Sequence, residues 1–428
     1  MHYDTIIVGG GAGGLELAAR LGRRLGRKRG VERVLLVDRS VFHIWKPTLH
    51  EVAAGTLDAH QEGLSYPILA RRNHFSFTLG QLVGLDAAGR RLTLGELRDV
   101  ADGSVLAPAR TISFERLVLA MGSGSNFFGT PGAETAHALE TTADAERFHG
   151  RLLAAFTRAS FSESRTLGVA IVGGGATGVE LSAELIEAHR ALDEGLAPGQ
   201  RFRLDIAIVE AGSRILTALP ERVADQARLA LERKGVRVLT GVKVERVEAG
   251  ALVTAPAGRI EAELIVWAAG VKAAAGNAGL GLEVNGLNQV VVNDRLETAA
   301  SGIWAMGDCA AAPWRDGRTV PARAAAAHQQ ADYLARALWA RMGERRVDRP
   351  FVYRDFGSLV SLGENRGLGA LMGGLGGPNF FVEGLVAKAV YMSLHLDHHR
   401  AILGVTRTMV LALARLLQQR VAGRLKLH

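Results

Sequence analysis

This chain of 428 residues contains a single cysteine, Cys309. One thiol excludes an internal disulfide, a CxxC redox pair and any multi-cysteine cluster. Long apolar runs are also missing. None approaches the roughly 20 residues needed to span a bilayer, so no transmembrane helix is expected. The chain enters its first strand by about Thr5, which leaves no room for a signal peptide and gives the expectation of a cytoplasmic start. Acidic residues stop at Asp397. The last 31 residues hold none, yet carry Arg400, Arg407, Arg415, Arg420, Arg424 and Lys426. The formal net charge is +8, but no recognisable nucleic-acid module accompanies it, and the basic tail is interleaved with aliphatics rather than stacking aromatics. A nucleic-acid partner is therefore not expected.

Glycine is plentiful. With 52 glycines and 48% hydrophobic residues the composition fits an α/β protein with many tight turns, long enough for two or three domains. Residues 8–21 read VGGGAGGLELAARL and residues 172–185 read VGGGATGVELSAEL, identical at ten of fourteen positions. Each copy follows a short apolar run and opens into a helical pattern, giving the strand, turn and helix that a glycine fingerprint requires. Gly9 and Gly173 suit the sharp turn, Gly11 and Gly175 leave room for a pyrophosphate, and Gly14 and Gly178 let the helix pack on the strand. The helix N-terminus then offers free N–H groups and a positive dipole end to the phosphates. A second strand ends in an acid in both copies, VLLVD at Asp38 and IAIVE at Glu210, where a ribose hydroxyl would be bound. The closing strands repeat as well, in residues 115–132 and 263–273. Whole domains are duplicated, and two dinucleotide sites in one chain point to an electron relay.

Between these landmarks several stretches stay open to two readings. Residues 40–58, SVFHIWKPTLHEVAAGTLD, suit either a wall against a flat ring system or an ordinary buried loop. Residues 75–112 alternate like antiparallel strands, and residues 140–158 read as a helix linking the two units. A strand at Ile303–Met306 runs into Gly307-Asp308 at an expected helix start, where Asp308 is a ribityl acceptor or a plain N-cap. The helix over Ala322–Met342 contains AAAAHQQA, whose small residues admit a ring, with His328 or Gln329 aimed at it; tight helix–sheet packing reads the same. A small third domain begins near Pro350. On its closing helix Ile402, Leu403, Met409, Val410, Leu413, Leu416, Leu417 and Val421 share one arc, opposite Arg400, Arg407, Thr408, Arg415, Gln418 and Gln419. Core packing is the plain explanation, but the absence of acids favours a helix of about residues 400–425 lying on a membrane surface.

Taken together, IVGGGAGGLE, HIWKPTLHEVA, VAIVGGGATGVELSAEL, VWAAG, GDCA, GSLVSLG and the final RLKLH resemble the type II NADH:quinone oxidoreductases in their proteobacterial form, over essentially the whole chain. The resemblance implies two Rossmann-type domains of the pyridine nucleotide-disulfide reductase kind and a carboxy-terminal membrane-anchoring region. Its boundaries would be 1–139 and 286–349 for FAD, 140–285 for NADH and 350–428 for the anchor. It implies FAD at Gly9, Gly11, Ala12, Gly13, Gly14, Asp38 and Arg39, with Lys46, Pro47, Gly122, Gly307 and Asp308 around the rest of the flavin. NADH is implied at Gly173, Gly175, Ala176, Thr177, Gly178, Glu210 and Gly270, with Glu180 near the nicotinamide. Lys46, Glu180, His328 and Gln329 are the implied reaction-centre side chains. Hydride would pass from NADH to FAD and two electrons to a membrane quinone, ubiquinone or menaquinone, without proton pumping, on the cytoplasmic side of the inner membrane. Whether two copies form a homodimer is left open. One position departs from the family: Ala325 stands where the quinone-site helix usually has glutamine. The alternative is a soluble flavoprotein reductase of a protein electron carrier.

Overall fold

The computed structural model describes residues 1–99, 101–343, 349–363, 367–371 and 380–421. The first unit begins with β1 (His2–Val8), α1 (Ala12–Arg33) and β2 (Val34–Asp38). It continues with α2 (Leu49–Ala54), α3 (Tyr66–Asn73), β3 (Ser76–Leu79), β4 (Leu82–Asp86), β5 (Arg91–Leu94) and β6 (Arg110–Leu119). These strands lie in the order β3-β2-β1-β6-β5-β4. The first half of β6 pairs antiparallel with β5, while its second half runs parallel to β1. The alternation over residues 75–112 thus yields one strand, β3, that is parallel to β2 rather than part of an antiparallel set.

The second unit comprises α4 (Thr142–Phe161), β7 (Thr166–Val172), α5 (Ala176–Gly195), β8 (Arg203–Glu210), α6 (Glu221–Arg233) and β9 (Arg237–Thr240). A meander of β10 (Lys243–Glu248), β11 (Ala251–Ala255) and β12 (Gly258–Glu261) leads to β13 (Leu264–Trp267). The parallel order β9-β8-β7-β13 reproduces β3-β2-β1-β6 strand for strand. The hydrogen bonds at the strand ends repeat too. Gly9 N donates to Val37 O and Gly173 N to Val209 O, both at 2.8 Å; Ala120 N donates to Val8 O and Ala268 N to Val172 O, again at 2.8 Å. Continuous aliphatic runs produce this, because strands covered by helices on both faces must be apolar throughout.

The chain then returns to the first sheet through β14 (Ile303–Ala305), which pairs with β6, and α7 (Ala324–Met342), which packs on α1. Gly307-Asp308 does not start a helix. It forms a single 3₁₀ turn, and α7 begins only at Ala324, after Pro313, Gly317 (φ +67°) and Pro321 have broken the backbone pattern. Last come β15 (Gly357–Ser361), β16 (Gly367–Leu371) and β17 (Phe380–Glu383), an antiparallel sheet, then α8 (Gly384–Leu403) and α9 (Val405–Val421). The single terminal helix expected from sequence is two, parted by Gly404 at φ +81°. Ile402 consequently belongs to the core, whereas Met409, Val410, Leu413 and Leu417 are exposed. The side chains of Leu416 and residues 418–421, and the final RLKLH, lie outside the described residues. Among the described residues no helix is long and apolar enough to cross a membrane.

Candidate functional site

Both fingerprints are built alike. A Cβ on Gly9 (φ +105°) would sit 2.3 Å from Ala120 O, and one on Gly14 would sit 1.9 Å from Gly9 O. Gly173 (φ +107°) and Gly178 are enclosed in the same way, at 2.8 Å from Ala268 C and 2.2 Å from Gly173 O. By contrast, a Cβ on Gly11 or Gly175 would meet nothing within 4 Å. Those two glycines therefore border free space at a helix N-terminus, and that space fits a pyrophosphate. The two acids also correspond. Asp38 accepts hydrogen bonds from Gly10 N (2.6 Å) and Ser40 N (2.8 Å), and Glu210 accepts from Gly174 N (2.7 Å) and Gly212 N (2.6 Å). Each carboxylate keeps acceptor capacity for a ribose hydroxyl. Burial pushes the Asp38 carboxyl up, against the two amides that favour its charge.

The copies differ in what covers them. Gly13 lies under α7: a Cβ there would meet Met306 Cε at 2.5 Å and Ala327 O at 3.1 Å. Its counterpart Thr177 is exposed, as is Ala176, whereas Ala12 is half-buried. The first site is enclosed by the returning chain and the second opens to solvent.

Three stretches distant in sequence meet beside the first site. Lys46, with Pro47 in a 3₁₀ turn ahead of α2, donates to Ser123 O at 2.7 Å. Ser123 Oγ donates to Asp308 Oδ2 at 2.9 Å, so Asp308 is bound to the loop after Gly122 (φ +71°) and is no N-cap. Gly307 N donates to Gln330 Oε1 at 2.6 Å, and Gln289 Nε2 to Asp308 O at 3.0 Å. Arg39 is exposed and, among the described residues, makes no side-chain hydrogen bond of this kind. Gly270 (φ +65°) turns the chain so that Val271–Lys272 pairs with Gly124–Ser125, joining the two closing segments directly.

Glu180, on α5, is 6% exposed and accepts from Ser361 N of β15 at 3.1 Å. Burial pushes its carboxyl up to about 8, against that amide, and the charges of Glu51 and Glu184 add to the rise. His50 Nδ1 lies 3.6 Å from its Oε2. His328 binds Glu16 on α1 (Nδ1 to Oε2, 2.7 Å) and lies 3.4 Å from Asp397 on α8. Gln329 holds the backbone of Arg354, donating to its O at 2.8 Å and accepting from its N at 3.0 Å. Gln330, one residue further round α7, is the side chain that reaches Gly307. Ala325 is half-buried at the start of α7.

Sequence reasoning missed Gln330, Ser123, His50 and Glu16. For Glu16 a signal existed: it occupies in the first copy the position Glu180 holds in the second. Gln330 was adjacent to the residues singled out, and only the helix start at Ala324 decides which glutamine faces inward. Cys309 is fully buried, bonded to Leu119 O (3.4 Å) and Met306 O (3.2 Å), and burial pushes its thiol up to about 11, so it is no redox nucleophile.

A family described as pyridine nucleotide-disulphide oxidoreductase matches residues 3–331. The chain is 38% identical to a type II NADH:quinone oxidoreductase of Haemophilus influenzae, covering 99% of this chain and 100% of that one. It is 26% identical to the type II NADH:quinone oxidoreductase Ndh of Mycobacterium tuberculosis, over 93% of this chain and 84% of that one. In structure it is similar to NDH2 of Plasmodium falciparum, solved in complex with NADH, with a TM-score of 0.81, 16% identity and 99% of both chains covered. The doubled fingerprint, the paired closing strands and a match over the full length together show that the chain belongs to the type II NADH:quinone oxidoreductases, within the pyridine nucleotide-disulphide oxidoreductase family.

Proposed function

We propose that the enclosed first site holds FAD and the open second site takes NADH, an assignment carried by the different cover over two otherwise matching fingerprints. A prosthetic group suits a site closed by the returning chain; a substrate that exchanges at every turnover suits the open one. The chain is an NADH:quinone oxidoreductase, and bound flavin supplies its two-electron chemistry, taking hydride from NADH and passing electrons to quinone. The residues here bind, orient and exclude water. The Gly11 and Gly175 amide ends receive the pyrophosphates, and Asp38 and Glu210 the riboses. Lys46, Ser123 and Asp308 form the polar wall beside the flavin, and Glu180 holds a proton between the two nucleotides at neutral pH. Glu210 favours NADH because a carboxylate repels a 2′-phosphate. Arg214 does not offset it: its guanidinium donates to the carbonyls of Leu216, Thr217 and Leu219 at 3.1–3.2 Å.

The division into 1–139 with 286–349, 140–285 and 350–428 is supported by the presence of three separate sheets, a mixed first one, a parallel second one and a late antiparallel one. A narrow crevice lined by Ile44, Trp45, Leu57, His395, His399 and Arg415 among others lies between the Lys46 segment and α8 and α9; Trp45 stacks on His395 and Arg415 pairs with Glu62 across it. We place quinone entry on the side on which α9 exposes Met409, Val410, Leu413 and Leu417, with the enzyme resting on the cytoplasmic surface of the membrane. His328 and Gln329 then act from α7 by holding neighbouring elements. Mixing the purified holoprotein with NADH anaerobically tests the reading: the flavin absorbance bleaches in proportion to NADH and returns when a short-chain quinone is added. Absence of bleaching removes the proposal.

A further inference from the structure

Away from the nucleotide-facing groups, a buried chain of side chains connects α8 to the first fingerprint. His43 Nδ1 binds Gly10 O (3.0 Å), His43 Nε2 binds His398 Nε2 (2.8 Å), and His398 Nδ1 binds Glu16 Oε1 (2.8 Å). All three side chains are withdrawn from water, Glu16 at 0%, His398 at 1% and His43 at 4% exposure. Tyr66 OH donates to the same Gly10 carbonyl at 2.7 Å, so this oxygen of the fingerprint loop is held from two sides. At the far end of α8, Arg23 donates to Ala401 O (2.5 Å) and Asn73 to Ile402 O (3.0 Å), capping the helix against α1 and α3.

Counting hydrogens decides the state of this chain. A carbonyl brings none, so the His43 Nδ1 contact uses one proton of His43, and each of the other two contacts also needs one. Two neutral imidazoles supply two protons for three bonds. The third sits on the link between His398 and Glu16. Its surroundings agree. Burial pushes the Glu16 carboxyl up, but hydrogen bonds from His328 and His398 outweigh this and hold it at about 2. Burial keeps His43 well below the usual histidine range, hence neutral. The other groups facing the link are Arg20, 3.4 Å from Glu16 and 3.1 Å from Asp332, and His328, raised chiefly by its bond to Glu16. Asp397 lies beside His328 and is bound by Arg400. On the opposite flank burial lowers His395 to about 2 and His399 to about 4, so neither contributes charge.

We propose that His43, His398 and Glu16 form a proton-dependent clasp through which α8 positions the first dinucleotide loop. Docking of α8 takes up one proton that a detached helix does not hold above the ordinary histidine pKa of about 6.5. The sign follows. From pH ~6.5 upward docking weakens by up to about tenfold per pH unit, and the Gly10 loop loses its hold with it. Below about 6.5 docking weakens again, because His395 and His399 on a detached α8, and an uncovered His43, take up protons that the docked, neutral rings do not. Below the ordinary glutamate value of 4.5 a free Glu16 adds to this. His43 and His398 are positioning residues; neither needs to touch the cofactor. The loop's part rests on the reading that FAD occupies the first fingerprint.

The test uses the full holoprotein and two readouts between pH 6 and 9.5: the rate of flavin release, and hydrogen exchange of residues 384–403 corrected for base catalysis. In the wild type both rise with pH beyond 6.5. In Glu16→Gln the amide supplies its own hydrogen to His398 and still accepts from His328, so all bonds form with neutral groups; both readouts stay low and flat. His398→Leu leaves His43 Nε2 unpaired and speeds flavin release about tenfold or more at every pH. A flat wild-type profile, or one shared by wild type and Glu16→Gln, overturns the clasp even if His398→Leu does not fold. Exchange that rises with pH while flavin release stays flat overturns the link to the loop. Flavin retained by Gly11→Ala instead removes the placement of FAD, and the exchange profile still decides the clasp.

Discussion

Two buried glutamates occupy the same place in the duplicated sequence and have opposite protonation states. Glu16 follows the first fingerprint and Glu180 the second, and both point into protein. Hydrogen bonds from His328 and His398 hold Glu16 ionised against burial. Burial pushes Glu180 to about 8, its neighbours being one backbone amide, two acids and His50, an imidazole that burial lowers to about 4. A charge is tolerated in the interior only with a partner, so the partner and not the position determines the form. For Glu180 the folded value lies above the ordinary 4.5. Its contribution to stability is therefore complete below pH 4.5 and lost as pH rises towards about 8, where the loss levels off. Glu180→Gln removes the titration. In thermal melts of the holoprotein from pH 5 to 9 the variant has the flatter profile, and parallel profiles would show that no neutral carboxyl is buried there. The motif made the glutamate visible in sequence. Its environment was not legible, because Ser361 and His50 reach it from segments 181 and 130 residues away.

Among the elements, the carboxy-terminal helices show most clearly what a periodic pattern reveals and what it hides. The apolar arc was correctly spaced, but a wheel assumes one continuous helix, and Gly404 ends the first helix in the left-handed conformation. α8 is consequently fixed by Arg23, Asn73 and the histidines, and only α9 presents its apolar residues: Met409 (67% exposed), Val410 (68%), Leu413 (59%) and Leu417 (58%). In the basic stretch of α1, Arg23 and Arg24 donate to carbonyls of α8 and α7. Such contacts have no periodicity and leave no trace in the sequence. If α9 lies on a membrane surface, glutamates at its apolar positions abolish the attachment. A leucine side chain moved into an apolar phase contributes about 1.5–3 kcal/mol, so Leu413→Glu with Leu417→Glu lowers binding to anionic vesicles by at least about tenfold. The flavin spectrum is unaltered, and unchanged cosedimentation would show that the face serves another purpose.

For the whole molecule, duplication accounts for the two sheets, and the proposed division of labour rests on their unequal cover. The repeat in sequence was sufficient to expect both sheets, since fingerprint, acid-terminated strand and closing strand recur in order. It did not reveal which copy is covered, because α7 reaches Gly13 only after the chain has passed through the second unit. The asymmetry predicts unequal responses to the same change. Gly11→Ala and Gly175→Ala each place a methyl in open space, so both variants fold. Gly11→Ala purifies colourless, whereas Gly175→Ala retains its flavin spectrum and shows a KM for NADH raised about tenfold or more, as expected where a backbone must approach a phosphate closely. Equal flavin loss in both would contradict the assignment of the sites.

The buried state of Cys309 leaves the native surface blank to maleimides and spin labels, since the chain has no second sulfhydryl. A reporter introduced by Met409→Cys or Leu413→Cys would thus be the sole label on the molecule, and its immersion depth in a lipid bilayer could be read without stripping any native residue.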